Sequence, residues 1–309
     1  MKNSTTMLGV ASYLTLAIIL FWLFSTQPST PQQPVESLPL VIEVDTPKKV
    51  TELAALLVSH GLEWPLEKRE IPALLIKTLP QDMPEIYSSE ERKSIFLRTL
   101  LPIVLLENHH IEKQRVILEK MVTQQSEFNG QQIAWLEERL KHYRLSNKAD
   151  EPKQLEQLLQ RLDQLPPSLM LAQGAIESGW GTSRFALQGN SLFGQWSYSK
   201  NSGLVPEARN QGAKHVVRSF DSLQASVRAY MRNLNTHLAY KTLREIRSTM
   251  RTKQQPLDSI ELADGLQSYS QRGEAYVEDV KLIIRSNKLT QYDNVELLQA
   301  TAKVVASRL

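Results

Sequence analysis

QGAIESGWGTSRFALQGNSLFG, residues 173–194, places one carboxylate, Glu177, between an apolar helical pattern and a turn built from Gly179, Trp180 and Gly181. Upstream, Pro166 and Pro167 can open a helix, because the first turn leaves their missing amide hydrogen unpaired in any case. Leu169, Ala172 and Ile176 then share one face, while Gln173 and Glu177 are neighbours four apart on another. Gly179 is placed to end the helix, so Glu177 falls in its last turn. A carboxylate there faces the negative end of the helix dipole, and the adjoining Trp180 indole would exclude water; both effects disfavour ionisation. A protonated glutamate is the state a general acid needs to protonate a leaving oxygen near neutral pH. The competing reading is a solvated glutamate at a helix end.

Downstream, short apolar pieces separated by turn signals at Asn201–Gly203 and Asn210–Gly212 predict a small β-hairpin lobe. Asp221 or Ser222 then caps a helix whose Leu223, Val227, Tyr230 and Leu234 share a face. Two more helices are expected around residues 257–266 and 276–284. Upstream, a helical pattern begins at Thr51, and prolines 65, 72, 80 and 84 break it. Ser88 and Glu91 have capping-box spacing ahead of Ile95, Phe96, Leu100 and Ile103; Pro102 should kink or interrupt that helix. Further helices are expected around 111–121, 133–143 and 155–162. Residues 7–24 carry no charge and reach the length of a membrane span. They predict a membrane anchor, or a signal peptide, with Lys2 favouring an inside amino terminus. The divisions expected are a membrane anchor or signal segment (1–26), a Pro-rich linker (27–46), an N-terminal helical region (47–150), a catalytic domain (151–295) and a C-terminal tail (296–309).

The 309 residues are 41% apolar and 22% charged with only 12 glycines, a composition that favours a mainly α (α+β) protein over a β-sandwich. A net charge of +3 gives no general basic field for nucleic acid. Between Arg209 and Lys253, however, arginines and lysines follow one another with few acids, either as a solvated face or as an attractor of anions. The absence of cysteine excludes disulfides, thiolate metal sites and a cysteine nucleophile. The six histidines lack HExxH spacing, and there is no phosphate-binding glycine loop and no GxSxG elbow, so no metal or nucleotide cofactor is implied.

AIESGWGTSRFALQGNSLFGQW, residues 175–196, resembles the signature of bacterial endo-β-N-acetylglucosaminidases that cut peptidoglycan. The likeness to a Gram-negative envelope member extends through IYSSEERKSIFLRTLLPIVLLEN (86–108), VRSFDSLQASVRAYMRNLNTH (217–237) and GLQSYSQRGEAYVEDVKLII (265–284), covering roughly residues 70–285. The resemblance implies a lysozyme-like helical domain with a small β-lobe, and hydrolysis between N-acetylglucosamine and N-acetylmuramic acid in peptidoglycan glycan strands. It matches the catalytic glutamate to Glu177, the two downstream tyrosines to Tyr269 and Tyr276, and the N-x-L-F-G string to Asn190 and Phe193. It also implies a body in the periplasm, held at the inner membrane by its N-terminal segment or secreted there.

Trp180, Phe193 and Trp196 could stack on sugar faces, although aromatics this close together include core members; Phe193 is the one expected to be buried. A second carboxylate should lie across the cleft, about 6.5–9.5 Å away for inversion or about 5–5.5 Å for retention. Glu207 in the hairpin lobe is the candidate, with Asp221 as the other option and the substrate's own acetamide as a third. A lytic transglycosylase, or a wall-binding protein without activity, are the alternative functions.

Overall fold

The structure, a computed structural model, describes residues 38–123, 127–146, 152–199, 201–207 and 212–300. The expected membrane segment and the first part of the expected linker lie outside those residues, as does the expected boundary at 150/151. The second part of the linker is not extended coil. Val41–Val44, with β-branched residues at 41, 42 and 44, forms strand β1. Helix α1 (Val50–Ser59) follows, then strands β2 (Glu70–Ile71) and β3 (Ala73–Ile76). β1 and β3 run parallel, Val41 opposite Ala73 and Val44 opposite Ile76.

Ser88 opens the dominant helix as its spacing predicts, its hydroxyl accepting from the Glu91 amide at 3.3 Å. Helix α2 then continues over Ser89–Thr123 with Pro102 inside it, so neither an interruption at Pro102 nor a separate helix from Ile111 is found. Every residue from Ser94 to Asn108 is buried. A helix packed on all sides gains enough from burial to outweigh the ~3 kcal/mol that an internal proline costs.

Helix α3 (Gly130–His142) starts from a capping box between Asn129 and Gln132, and α4 (Pro152–Arg161) follows. Next are α5 (Pro167–Ser178) and the short α6 (Arg184–Gly189), capped by Ser183. The β-lobe has three strands: β4 (Trp196–Ser197), β5 (Gly203–Leu204) and β6 (Val216–Arg218), with β6 in the middle. Gly203 is required there, since a Cβ would come within 1.9 Å of the Val217 carbonyl oxygen. Helix α7 (Leu223–Thr236) is capped by Ser222, whose hydroxyl accepts from the Ala225 amide; Asp221 does not perform that role.

Helix α8 (Lys241–Thr252) falls where the sequence shows only a basic succession. Two of its core positions are arginines, Arg244 and Arg247, which hide the apolar period of Leu243 and Met250. Arg247 is enclosed and donates to Asn235 Oδ1 and to the Gln160 and Gln164 carbonyls. Beside it, Asp163 takes two bonds from Arg251, and this cationic setting holds its carboxyl below the usual range despite burial.

Helices α9 (Ser259–Ala263) and α10 (Glu274–Ser286) complete the bundle. Strand β7 (Glu296–Leu297) pairs in parallel with β2, and Pro39 bridges Gln299. The first residues of the expected tail are therefore part of a sheet. α2 packs against β3, α5 and α7, and α5 also against α10. One core runs through all of them, including Leu100 before the expected boundary and Ala172 after it. At Gly174 a Cβ would lie 2.8 Å from Leu100 Cδ2, so the glycine sets how closely α5 approaches α2.

Candidate active site

α5 ends with Gly179 in the left-handed conformation, as expected. Trp180 and Gly181 continue it, giving φ of 57°, 58° and 80° in succession. Positive φ at a tryptophan is an outlier that costs on the order of 1–3 kcal/mol. Two bonds hold it: Trp180 N donates to Ala175 O, and Gly181 N donates to Ser178 Oγ, both at 2.9 Å. Gly181 itself has no room for a side chain, with Leu79 2.8 Å from where its Cβ would be. The turn reverses the chain immediately beyond Glu177, leaving the glutamate at the open end of the helix.

Glu177 is half-buried. Its Oε1 accepts from the Tyr276 hydroxyl at 2.8 Å, and Tyr276 Oη accepts from Gln173 Nε2 at 3.2 Å. A phenol has one hydrogen; with Gln173 as donor, that hydrogen goes to Glu177. Oε2 faces Gly194, where a Cβ would stand 3.5 Å away, so no side chain covers it from that side. Burial raises the Glu177 pKa above the ordinary carboxylate range, and the Tyr276 bond opposes part of that rise. Burial thus favours the protonated form of this carboxyl, with Oε1 held by Tyr276 and Oε2 left uncovered on the Gly194 side.

Tyr276 is 3% exposed, and the two expected tyrosines stack on each other at 4.9 Å. Tyr269 is half-buried and donates to the Phe193 carbonyl at 2.7 Å. Burial, reinforced by Glu177, pushes both phenols far up, so they are hydrogen-bond donors rather than bases. Phe193, expected among the sugar-contacting residues and as the buried one, is 1% exposed and stacks on Tyr230 at 4.0 Å. Its ring is core, and only its backbone serves the site. Asn190 is also buried, its amide donating to the Phe220 carbonyl at 2.9 Å. That bond ties the loop after α6 to the segment before α7.

The Trp180 ring packs edge-on to Phe96 and under Lys93 Nζ. Trp196 is 60% exposed and stacks on His215 at 4.2 Å, an aromatic surface open to solvent. Glu207 is exposed and pairs with Arg184 Nε at 3.2 Å, while Arg184 Nη2 donates to the Val205 carbonyl at 2.7 Å. Arg184 begins α6 directly after the Gly179–Gly181 turn, so it ties the β-lobe edge to that turn. Among the described residues, the site thus joins Glu177, Tyr276, Tyr269 and the Phe193 backbone. Gln173, Tyr230 and Arg184 were not foreseen as parts of it; only Gln173 had a signal, one helical turn before Glu177 on the same face.

Comparison with known proteins fits this geometry. A family profile described as glucosaminidase, mannosyl-glycoprotein endo-beta-N-acetylglucosaminidase, matches residues 153–289. Protein bax of Escherichia coli (strain K12) is 32% identical over 197 residues, covering 63% of this chain and 69% of that protein. The chain belongs to the glucosaminidase family. Among solved structures, the catalytic domain of the autolysin Auto from Listeria monocytogenes is similar at 21% identity, over 56% of this chain and 93% of that one, with a TM-score of 0.30. The glucosaminidase match spans every residue named in the site from Gln173 to Tyr276. Helix α2, which supplies Phe96 and Leu100 beneath it, lies outside the match.

Proposed function

We propose that the protein is a peptidoglycan hydrolase that cleaves the β-1,4 bond between N-acetylglucosamine and N-acetylmuramic acid. The observation that carries this reading is the Glu177 carboxyl, desolvated at the end of α5 and anchored by Tyr276. Glu177 gives its proton to the glycosidic oxygen as the bond to the anomeric carbon breaks. Water adds to that carbon, and its proton passes to Glu207, or the substrate's acetamide attacks first and water opens the resulting ring. Glu207 supports the first route because an exposed ion pair is weak, so Arg184 can yield it to substrate. Tyr276 holds the acid, Tyr269 holds the Phe193 backbone, and Trp196 offers a stacking surface for a sugar. Residues 1–26 are proposed to hold the body at the inner membrane, facing the periplasm; among the described residues no helix is long and apolar enough to cross a membrane.

Digestion of purified peptidoglycan followed by mass spectrometry tests the reading. Reducing N-acetylglucosamine ends are expected, and Glu177→Gln should lower their yield at least about 100-fold while leaving the fold intact. Ends in 1,6-anhydromuramic acid would make the enzyme a lytic transglycosylase. No products from folded protein would leave wall binding alone.

A further inference from the structure

Among the described residues, the basic succession that runs to Lys253 does not form one face. Arg244 and Arg247 are buried, Arg251 serves Asp163, and Lys241 pairs with Glu245. Arg228 and Arg232 are different. They lie two residues either side of Tyr230, hence on the opposite side of α7 from the tyrosine cluster.

There they meet Arg139 and His142 of α3, and Glu107 and His110 of α2, around a cavity of about 220 Å³. The one carboxylate in that set is already committed. Glu107 accepts from Arg228 Nε and Nη2, both at 2.8 Å, and from Gln224 at 2.7 Å. Arg139 pairs with Glu138 and donates to Gln114, but its Nε is buried with no partner. Arg232 donates through Nε to the His142 carbonyl at 3.0 Å, its one side-chain hydrogen bond among the described residues, which leaves both terminal amines open. The surplus of positive charge registers on His142, whose pKa is lowered by burial first and then by Arg232 and Arg139.

We propose that this cavity is a carboxylate-binding subsite, lined by Arg139 and Arg232, that takes an acidic group of a peptide. On the reading of the substrate as peptidoglycan, on which the identity of that peptide rests, the group is a carboxylate of the stem carried by the glycan. Guanidinium groups match a planar carboxylate with paired hydrogen bonds, and the committed state of Glu107 means that a bound anion meets no free negative charge. The space holds a carboxylate and the few carbons beside it. Helix α7 would then present the stem on one face while its other face, through Tyr230 and Phe193, supports the Tyr269 bond.

The test uses the full chain and a ligand without a glycosidic bond, so it reads the subsite whether or not the glycan is cleaved. Calorimetric titration compares N-acetyl-L-Ala-γ-D-Glu-L-Lys with its twin in which every carboxyl is an amide. The acid should bind at least tenfold more tightly than the amide, with affinity falling as salt is added. The Arg139→Gln/Arg232→Gln double variant should lose at least tenfold in affinity for the acid and keep its circular dichroism. Equal affinity for acid and amide, no binding of either, or undiminished binding by the double variant would overturn the proposal. The acid-to-amide comparison is made on unaltered protein, so it stands even if the double variant fails to fold.

Discussion

Tyr276 Oη stands 2.8 Å from Glu177 Oε1 although 99 residues separate them in the chain. The bond does two opposing things. It fixes the carboxyl in one orientation, and by stabilising the carboxylate it restrains the rise in pKa that burial produces.

The first prediction concerns pH. A general acid must be protonated, so activity falls as pH rises through the raised pKa of Glu177. Tyr276→Phe removes the restraining bond; the pKa rises further, and the alkaline limb of kcat/KM moves to higher pH. A loss in kcat of about tenfold should accompany the shift. Rate profiles of both proteins across pH decide it, and a limb that stays put would mean that another group controls it.

Gln173 separates positioning from stability. It is fully buried, its Nε2 directs the Tyr276 hydrogen toward Glu177, and its Oε1 has no partner. Gln173→Met keeps the volume, removes the donor and removes the orphan oxygen. Turnover should fall about tenfold while the thermal midpoint holds or rises, because a buried unpaired carbonyl is costly. If activity and midpoint fell together, Gln173 would be a packing residue only.

Glu207 and Arg184 form a pair whose halves predict different outcomes. Glu207→Gln should lower turnover by on the order of 100-fold if this carboxylate takes the proton from water. Arg184→Gln should lower it less, because it loosens the β-lobe edge and leaves the carboxylate in place. Steady-state turnover on peptidoglycan measures both. Full activity in Glu207→Gln would shift the role to the substrate's acetamide.

Asp293 gives a stability test far from the chemistry. Its carboxyl accepts from the Ser168 amide and hydroxyl at 2.8 and 2.7 Å at the start of α5. Burial, with a contribution from Asp258, outweighs both bonds and raises its pKa from 3.8 to about 6. Between those values the folded state binds more protons than the unfolded, so this group's contribution to stability falls as pH rises through that window. The effect is on the order of 1–3 kcal/mol. Asp293→Asn keeps the bond from the Ser168 amide and can reverse the other, its Nδ2 donating to Ser168 Oγ, so it should melt higher than the parent at pH 8, with the difference shrinking as pH falls from 6 to 4. Parallel melting curves would contradict it.

Much of this was legible in the sequence where local chemistry dominates. The Gly179 helix end, the start at Ser88 and the buried Phe193 follow from spacing and residue type alone. What was not legible depends on distant partners. Pro102 reads as a breaker until the burial of every neighbouring residue is known. Helix α8 reads as a charged run because its Arg244 and Arg247 are satisfied by carbonyls from other elements. Residues 296–297 read as tail because their partner, β2, lies more than two hundred residues earlier. The site divides in the same way: Glu177 is visible from its own helix, whereas the bond from Tyr276 and the tie between Arg184 and Glu207 exist only in three dimensions.

Helix α2 carries a consequence for inheritance. The segment 153–289 looks like a portable cassette, but the floor under Gly174 and Trp180 is built from Leu100 and Phe96, which such a cassette would leave behind. Transplanted alone into another protein, it would bring the acid and both tyrosines yet expose the apolar underside of α5, and the strained turn at Trp180 would lose the packing that holds it. In this protein the structural unit that holds the site is larger than the segment the glucosaminidase profile matches, and recombination that respects only that segment would yield chains with the right residues and no stable place to hold them.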